Sequence, residues 1–261
     1  MSLIKNIKKI NDKIFKAVYD AGEIASKFNH NNIKHWYKSK NQPVTEADIE
    51  INSYLKKFFE KHTPEIGWLS EETKDDYSRF KKKGFWCLDP IDGTRSFIHG
   101  KPEFAISLAL VFNSKPIFGI IFNPKTNEMF FAEKGSGAFC NKKKISVRIK
   151  KIIENIAISN SEAKKIQEYE IFNKLSIVKM GSIAYKIALV AKGEIDIAIS
   201  FTNKNDWDLA AASLILEEAG GKISNIQGEL IKYNTKSLRI PSVIACNKIV
   251  HCNVIEKILN S

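Results

Sequence analysis

The sequence has no long uninterrupted apolar run. Its 261 residues are 44% hydrophobic and 10% aromatic, an ordinary globular composition, and the longest apolar stretch covers only residues 104–112. A helix that spans a bilayer needs about 18 apolar residues, so no membrane segment is expected. The first 16 residues alternate lysine with isoleucine and lack the apolar core of a secretion signal. We therefore expect a cytoplasmic protein.

Cysteine is scarce and scattered. The cysteines are Cys87, Cys140, Cys246 and Cys252, and no pair has the Cys-x-x-Cys spacing of a zinc site. They are also too few for the disulfide framework that holds small secreted domains together. The composition disfavours a disulfide scaffold and favours cysteines that act as small buried apolar residues.

Arginine is nearly absent from a strongly basic chain. The formal net charge is +12, but the only arginines are Arg79, Arg95, Arg148 and Arg239, and the lysines are spread over the whole length. A basic protein is expected to meet an anionic partner. Nucleic-acid readers usually cluster their charge and use arginine, so this distribution disfavours nucleic acid as the main ligand. A small phosphorylated substrate would respond to the same positive charge.

The order of predicted elements changes midway along the chain. Apolar residues at helical spacing predict helices over residues 3–28 and 49–62, and residues 85–139 then contain strand-like runs joined by turn residues. Helices followed by hairpin-linked strands are typical of an α+β unit, whereas the rest of the chain alternates strands with helices, as an α/β unit does. We expect two halves, 1–148 and 149–261, with a broad shared interface because no flexible linker separates them.

Two carboxylates follow a buried strand in the segment WCLDPIDGTRSF. Asp89 ends the apolar run and Asp92 lies three residues later, a spacing that suits shared coordination of a hard cation. The alternative is an ordinary turn, because Asp-Gly is a frequent turn pair. Gly93 and Thr94 come next and could open a short helix, with Thr94 as its cap and the free N–H groups directed at a phosphate.

Further carboxylates lie in segments that could join this site. Glu71 and Glu72 stand in WLSEE, and Glu71 is 18 residues before Asp89. They are either solvated loop charges or part of a cation-binding set that activates a water molecule. Asp208 stands at the start of a helix in WDLAAASLILEEAGG, which a Gly-Gly pair ends. It is either the N-cap of that helix or a further ligand.

Four segments together resemble the signatures of the inositol monophosphatase superfamily of magnesium-dependent, lithium-sensitive phosphatases. They are WLSEE, DPIDGT, WDLAAASLILEEAGG and, nearer the N-terminus, PVTEAD. They occur in the family's order, and the combination is far more specific than a lone glycine loop. The resemblance implies a layered αβαβα sandwich of the sugar-phosphatase type, two or three Mg²⁺ ions and a homodimer. The first half would carry most metal ligands, and the second half Asp208 and the substrate-side residues.

The resemblance also implies roles for individual residues. Thr94 and Glu71 would activate the attacking water with support from Asp48, and Lys38 or Lys40 matches a lysine near the family's site. The implied metal ligands are Glu71, Asp89, Asp92, Asp208 and the backbone carbonyl of Ile91. The implied substrate-binding residues are Asp92, Gly93, Thr94, Gly181 and Ser182.

One position departs from the inositol-specific pattern. Members of that group are expected to carry an acidic residue six positions before the motif tryptophan, where this chain has Phe201. A phenylalanine ring cannot accept hydrogen bonds from a polyol. The segments around DPIDGT and WDLAAAS look closer to bacterial 3′(2′),5′-bisphosphate nucleotidases, and Arg95 and Lys204 could then meet a second phosphate. Both could instead be ordinary solvated charges.

The residues therefore favour a phosphomonoesterase. An all-oxygen ligand set selects Mg²⁺ over zinc or copper, and Mg²⁺ would lower the pKa of a water and neutralise phosphate oxygens. We expect a small phosphorylated substrate, either a 3′(2′),5′-bisphosphate nucleotide or an inositol monophosphate. The alternative from another class is a basic RNA- or protein-associating module that retains the phosphatase fold.

Overall fold

The computed structural model describes residues 7, 9–28, 33–39 and 42–260. A short antiparallel hairpin, β1 (His35–Ser39) and β2 (Gln42–Thr45), lies between the first two helices. In the described residues the helices are α1 (Asn11–Lys27), α2 (Glu46–His62), α3 (Thr94–Ile98), α4 (Ile183–Lys192), α5 (Asp206–Glu218) and α6 (Lys248–Leu259). No described helix combines the length and apolar character that crossing a bilayer requires.

A seven-stranded sheet dominates the first half of the chain. Its strands, in spatial order, are β3 (Gly67–Ser70), β4 (Gly84–Asp92), β5 (Ala105–Phe112), β6 (Lys115–Asn123), β7 (Glu128–Glu133), β8 (Ala138–Cys140) and β9 (Lys143–Ile145). The pairs from β4 to β9 are antiparallel, as the hairpin pattern predicts. β3, which the sequence analysis did not identify as a strand, runs parallel to β4, so their carboxyl ends meet at one edge.

A five-stranded mixed sheet dominates the second half. Its spatial order is β11 (Ser176–Lys179), β10 (Asn155–Ile158), β12 (Ile197–Ser200), β16 (Val243–Asn247) and β14 (Gly221–Ser224). β10 is parallel to both of its neighbours, whereas β16 is antiparallel to β12 and β14. Three short 3₁₀ turns, Asn160–Glu162, Lys165–Glu168 and Glu170–Phe172, connect β10 to β11, and β13 (Lys204–Asn205) pairs separately with β15 (Arg239–Ile240).

Buried apolar residues join the two sheets and the helices into layers. α1 and α2 share one cluster with the seven-stranded sheet, for example through Ile14 and Trp86. α4 and α5 share a second cluster with both sheets, in which Ala211 and Val243 are fully buried. α6 joins a third cluster on the five-stranded sheet through Val254. The layer order α-β-α-β-α confirms the sandwich that the sequence resemblance predicts.

Local capping explains where α2 begins. The Asp48 amide donates to Thr45 Oγ1 at 3.4 Å, and the Thr45 amide donates to Asp48 Oδ2 at 2.8 Å. This reciprocal capping box, formed by Thr45 and Asp48 of the PVTEAD motif, starts the helix. The helix begins at Glu46, three residues before the predicted start, and the residues before it form the β1–β2 hairpin. Most of the early part predicted for the first helix lies outside the described residues.

Candidate active site

Three carboxylates meet where the parallel strands β3 and β4 end. Glu71 directly follows β3, its backbone amide donates to the Leu88 carbonyl oxygen of β4 at 3.2 Å, and Asp89 is the next residue of β4. Asp208 reaches the same place from the first turn of α5. Carboxylate oxygens of Glu71, Asp89 and Asp208 all lie within 4.8 Å of one another. The fold thus brings together three of the predicted ligands from three separate segments.

The start of α5 gives Asp208 two partners at once. Asp208 is the third residue of the helix, and its Oδ2 accepts from the Asn205 backbone amide at 2.7 Å. From the sequence, Asp208 could be either a helix cap or a ligand in the carboxylate cluster. In the structure the same carboxylate contributes to both, although Asn205 and not Asp208 is the N-cap residue.

Asp92 has different surroundings from the three clustered carboxylates. Its Oδ2 accepts from Ser182 Oγ at 2.5 Å and from the Ala184 amide at 2.6 Å, so it ties the end of β4 to the start of α4. Burial raises the pKa of Asp92, and these two hydrogen bonds oppose that shift. Ser182 is also the N-cap of α4, because its hydroxyl accepts from the Tyr185 amide at 2.9 Å.

Burial and the charges of neighbouring carboxylates raise the pKa values of Asp89, Asp208 and Asp48. Burial is the largest cause for Asp89, and the charges of Glu71, Asp92 and Asp208 raise its pKa further. Burial, followed by the charges of Asp92 and Glu71, raises the pKa of Asp208 to about 8. Burial also raises the pKa of Asp48 to about 7. Concentrated negative charge with oxygen donors is what a hard divalent cation needs, so the residues fit a Mg²⁺ site.

Lys38 is the cation that the structure places against this cluster. Its Nζ lies 3.0 Å from Glu71 Oε1 and 2.7 Å from Glu72 Oε1. Lys38 sits on β1, so the hairpin brings positive charge to the acidic edge of the sheet. The sequence left Lys38 and Lys40 as alternatives, and Lys40 lies outside the described residues.

The turn after Asp92 is built around Gly93 and Thr94. Gly93 is the N-cap of α3 with φ of 93°, in the left-handed region, and a Cβ there would lie 2.8 Å from the Glu103 carbonyl oxygen. The expectation that Thr94 caps this helix is wrong, because Thr94 is its first residue. The Thr94 hydroxyl instead donates to the Ile91 carbonyl oxygen at 3.0 Å. The Thr94 hydroxyl and the Ile91 carbonyl were both predicted to belong to the site, and the structure places them in contact.

Asp48 does not belong to the cavity wall that the described residues form. It is 1% exposed, and its Oδ2 accepts from both the amide and the hydroxyl of Thr45. Its carboxylate still interacts electrostatically with Glu71 and Glu72, whose charges raise its pKa. The structure therefore places Asp48 near the acidic cluster, held by the capping box of α2.

A cavity of about 340 Å³ extends from the carboxylates toward α4 and the β12–α5 connection. Arg95, Lys186 and Lys204 also line it, so one cavity carries both carboxylates and cationic side chains. We call the part lined by Glu71, Asp89 and Asp208 the acidic end and the part lined by these three cations the cationic end. Gly181 lets the wall close tightly, because a Cβ there would lie 2.4 Å from Ser96 Oγ. The remaining wall is mostly polar and includes Gln42, Ser159, Asn160, Ser161, Glu162, Asn203 and Asn205.

Two buried charged residues of this wall were missed at the level of sequence. Lys186 is 1% exposed, its Nζ lies 3.4 Å from the Met180 carbonyl oxygen, and burial lowers its pKa to about 8. A lysine inside the apolar segment IAYKIALVAK is a visible signal of a special position. Glu162 gives no such signal, since its segment reads as an ordinary polar loop.

Phe201 lies outside the cavity wall that the described residues form. Its ring stacks on Tyr169 with centroids 5.0 Å apart and planes 3° apart. The ring thus belongs to the third apolar cluster, where it is partly buried. The Phe201 backbone amide forms a hydrogen bond within the local structure. Its side chain contacts Tyr169, which the sequence did not predict.

Comparisons with known proteins assign the class and then the family. An inositol-1-monophosphatase of Caulobacter vibrioides is 30% identical over 82% of this chain and 86% of its own length. The 3′(2′),5′-bisphosphate nucleotidase CysQ of Buchnera aphidicola is 30% identical over 90% of this chain and 91% of its own. The solved structure of an IMPase from Thermotoga maritima matches with a TM-score of 0.82 and 28% identity, covering 97% of each chain.

These relatives, together with the fold, define a phosphoric monoester hydrolase, the enzyme class that the sequence predicts. More narrowly, the chain belongs to the inositol monophosphatase family, whose model matches residues 7–260. The relatives are named for two different substrates, so the family alone leaves the substrate open.

Proposed function

We propose that the protein is a Mg²⁺-dependent phosphomonoesterase that acts on a small metabolite with a second phosphate, such as a 3′(2′),5′-bisphosphate nucleotide. One observation carries this proposal. A single cavity joins the carboxylate cluster to the cationic side chains of Arg95, Lys186 and Lys204. A substrate with two phosphates would place the reacting one at the acidic end with Mg²⁺, and the other at the cationic end.

The ligand set proposed for the metal uses oxygen atoms alone. Glu71, Asp89 and Asp208 would hold Mg²⁺ through the carboxylates that already converge. Asp92 and the carbonyl of Ile91 would complete the set, since they lie in the same turn at the end of β4. When bound, Mg²⁺ would offset the charge of the phosphate oxygens and acidify a nearby water. Oxygen-only donors favour Mg²⁺ over softer transition metals.

Glu71 and Thr94 are the residues proposed to handle the proton of the attacking water. The Thr94 hydroxyl donates its own proton to the Ile91 carbonyl, which leaves its lone pairs to accept one from water. The Glu71 carboxylate is a second acceptor at the acidic edge. Water oxygen would attack phosphorus, the ester P–O bond would break, and the leaving oxygen would take a proton. Asp48 would support this arrangement electrostatically.

Gly93, Thr94, Gly181 and Ser182 are proposed to seat the reacting phosphate. The absence of a side chain at Gly93 lets the turn pack against the Glu103 carbonyl oxygen and Ser182, while Gly181 allows α4 to start close to Ser96. Ser182 fixes the orientation of Asp92 through the hydrogen bond described above. The phosphate would then sit between the carboxylate cluster and the start of α4, next to Asp92.

Inositol monophosphate is the second candidate substrate. Ser159, Asn160 and Ser161 line the cavity with groups that can both donate to and accept from sugar hydroxyls. Homologues bearing that name support this candidate as well. Inhibition by Li⁺ and a homodimeric state are further expectations that the family resemblance suggests.

A substrate panel tests both candidates. Phosphate release would be measured from adenosine 3′,5′-bisphosphate, inositol 1-phosphate, histidinol phosphate and fructose 1,6-bisphosphate, each with Mg²⁺, with EDTA and with added Li⁺. We expect the highest kcat/KM for the bisphosphate nucleotide and no release in EDTA. A clear preference for inositol 1-phosphate would favour the second candidate. Undiminished release in EDTA would reject the metal-dependent mechanism.

A further inference from the structure

The buried carboxylate of Glu162 binds the chain that follows β12. Glu162 ends the first 3₁₀ turn after β10 and is 4% exposed. Its Oε1 accepts from Ser200 Oγ at 2.8 Å, from the Phe201 amide at 2.6 Å and from the Thr202 amide at 3.2 Å. Its Oε2 accepts from the hydroxyl of Ser159. One side chain thus anchors two consecutive backbone amides of another segment.

The anchored segment carries Lys204 to the cavity. Residues 201–205 connect β12 to α5, and Lys204 lines the cavity. Lys204 Nζ donates to Thr202 Oγ1 at 2.8 Å, and the Thr202 hydroxyl lies 3.1 Å from Ser200 Oγ. A continuous series of hydrogen bonds therefore links Glu162, through Thr202, to the Lys204 ammonium group.

An aromatic contact holds the same loop from the other side. The Phe201 ring stacks on Tyr169, and Lys165 Nζ lies 5.6 Å from the centroid of the Phe201 ring. Tyr169 and Lys165 belong to the same connection between β10 and β11 as Glu162. The β10–β11 connection therefore holds the loop in two places. The Glu162 carboxylate binds its backbone, and the Tyr169 ring contacts the side chain of Phe201.

Glu162 is suited to this role because its deprotonated carboxylate presents two acceptor oxygens to its partners. Burial would raise the pKa of Glu162, but hydrogen bonds from Ser159, Ser200 and the Phe201 amide, with the charge of Lys204, lower it below its ordinary value. The four donors occupy most of the acceptor capacity of one carboxylate. Glu162 therefore has its partners within the protein, although it lines the cavity.

We propose that Glu162 is a positioning residue for substrate binding, which holds the 200–204 loop so that Lys204 faces the cavity. The proposal rests on the proposed function in one respect, that Lys204 binds the second phosphate of the substrate. Glu162 acts on substrate affinity through Lys204 and leaves the carboxylate cluster unchanged. Substitution of Glu162 should therefore change KM much more than kcat.

Kinetics of single and double variants test this coupling. Glu162→Ala should raise KM for adenosine 3′,5′-bisphosphate about tenfold and change kcat less than about twofold, because the metal side of the cavity is untouched. Lys204→Ala should raise KM by a similar factor. In the double variant we expect no further increase, since residues that act in series are not additive. Additive effects of the two substitutions would overturn the proposal.

Two further variants separate geometry from charge and from general damage. In Glu162→Gln the amide oxygen can still accept from Phe201 and Thr202, and Ser159 can turn to accept from the amide nitrogen, so KM should stay within about twofold of wild type. Glu168→Ala removes an exposed carboxylate of the same connection and should change nothing. Should Glu162→Ala fail to fold, Glu162→Asp replaces it, with an expected rise in KM of about threefold.

Hydrogen exchange gives a readout that needs no activity. The amides of Phe201 and Thr202 should exchange about tenfold faster in Glu162→Ala, or in Glu162→Asp if that variant replaces it, than in wild type or Glu168→Ala. A wild-type enzyme without Mg²⁺-dependent phosphatase activity would reject the proposed function, while exchange would still test the anchor. An active enzyme in which the Glu162 variant has wild-type KM and wild-type exchange would overturn the inference alone.

Discussion

The two ends of the active-site cavity are built in different ways. At the acidic end, Glu71, Asp89 and Asp208 come from two strand ends and a helix start, where the sheet edge and a cap determine their positions. At the other end, Lys186 comes from the middle of a buried helix and Lys204 from a connection. The proposed chemistry thus uses carboxylates at the ends of regular elements, whereas the proposed substrate recognition combines a buried helix residue with a residue of a connection that tertiary contacts hold.

The two ends also differ in the direction in which burial shifts the pKa values of their charged groups. At the acidic end, burial and the charges of neighbouring carboxylates raise the pKa values of Asp89 and Asp208, even though Lys38 pairs with Glu71 there. At the cationic end, burial lowers the pKa of Lys186, so an anion would stabilise its charged form. Shifted pKa values at both ends are typical of a functional site.

Removing a ligand from the acidic end should have the largest effect. Asp89→Asn keeps an acceptor for the Ile91 amide, which donates to Asp89 Oδ1 at 3.0 Å, so the fold should persist. We expect kcat with Mg²⁺ to fall by about 10³-fold or more, because a charged metal ligand is lost. Phosphate release and thermal unfolding would be measured together.

Asp12→Asn, an exposed aspartate on α1, is the matched control and should keep wild-type kcat. Folded Asp89→Asn protein with undiminished Mg²⁺-dependent activity would refute the role of the acidic end.

A change at the cationic end should affect binding more than catalysis. Lys186→Met keeps the length of the side chain and removes its charge, so we expect KM for adenosine 3′,5′-bisphosphate to rise about tenfold with a smaller change in kcat. KM for a monophosphate should change less than about twofold, since it lacks the second phosphate. Lys179→Met, at an exposed lysine on β11, is the control. Equal changes in KM for both substrates would show that Lys186 does not recognise the second phosphate.

The metal-free protein should lose stability as pH rises. The folded-state pKa values are about 8 for Asp208 and about 7 for Asp48, above the ordinary value of 3.8 for aspartate. A group whose pKa is raised on folding stabilises the fold below its unfolded pKa, and that contribution is lost as pH rises through the folded pKa. We expect the free energy of unfolding in EDTA to fall by at most about 5 kcal/mol between pH 5.5 and pH 8, the sum of the two contributions.

Denaturant unfolding at several pH values, with and without Mg²⁺, measures this dependence. Saturating Mg²⁺ should abolish most of it, because a cation stabilises the ionised carboxylates. Stability that rises over the same pH range in EDTA would show that these carboxylates are not repelling one another.

Phe201 should have the smallest effect on activity. Its ring stacks on Tyr169 outside the cavity wall, so Phe201→Leu should lower the melting temperature by a few degrees through the lost aromatic contact. KM for every substrate in the panel, measured by steady-state kinetics, should stay within about twofold of wild type, because Glu162 still binds the backbone amides of the loop without the aromatic contact. A fall in KM for inositol 1-phosphate alone would mean that the side chain at position 201 contacts substrate hydroxyls.

The contrast between the two ends also explains what could be predicted from sequence. Asp89, Asp92 and Asp208 lie in contiguous motifs near a strand end or a helix start, but each could also be a turn or cap residue, and only the family resemblance implied one shared site. The structure brings Asp89 and Asp208 together with Glu71, whereas Asp92 pairs with Ser182. The layered fold followed from the order of helices and strands together with the family resemblance. Strand β3 was missed because its four residues show no clear alternation.

The other features depend on contacts that no local pattern records. Glu162 meets the Phe201 and Thr202 amides about 40 positions away, which only the packing of two connections brings about. The β1–β2 hairpin is short and its first strand fully exposed, so it lacks the apolar alternation that marks a strand. Thr94 was expected to cap a helix, but Gly93 takes that place because its left-handed backbone suits glycine.

A crystal structure of the wild-type protein with Mg²⁺, adenosine 5′-monophosphate and inorganic phosphate tests the central claim most directly. The account predicts Mg²⁺ about 2.1 Å from oxygens of Glu71, Asp89 and Asp208, with inorganic phosphate beside it. It also predicts the 5′-phosphate within hydrogen-bonding distance of Lys186 or Lys204. Mg²⁺ bound elsewhere, or a 5′-phosphate directed away from both lysines, would contradict it.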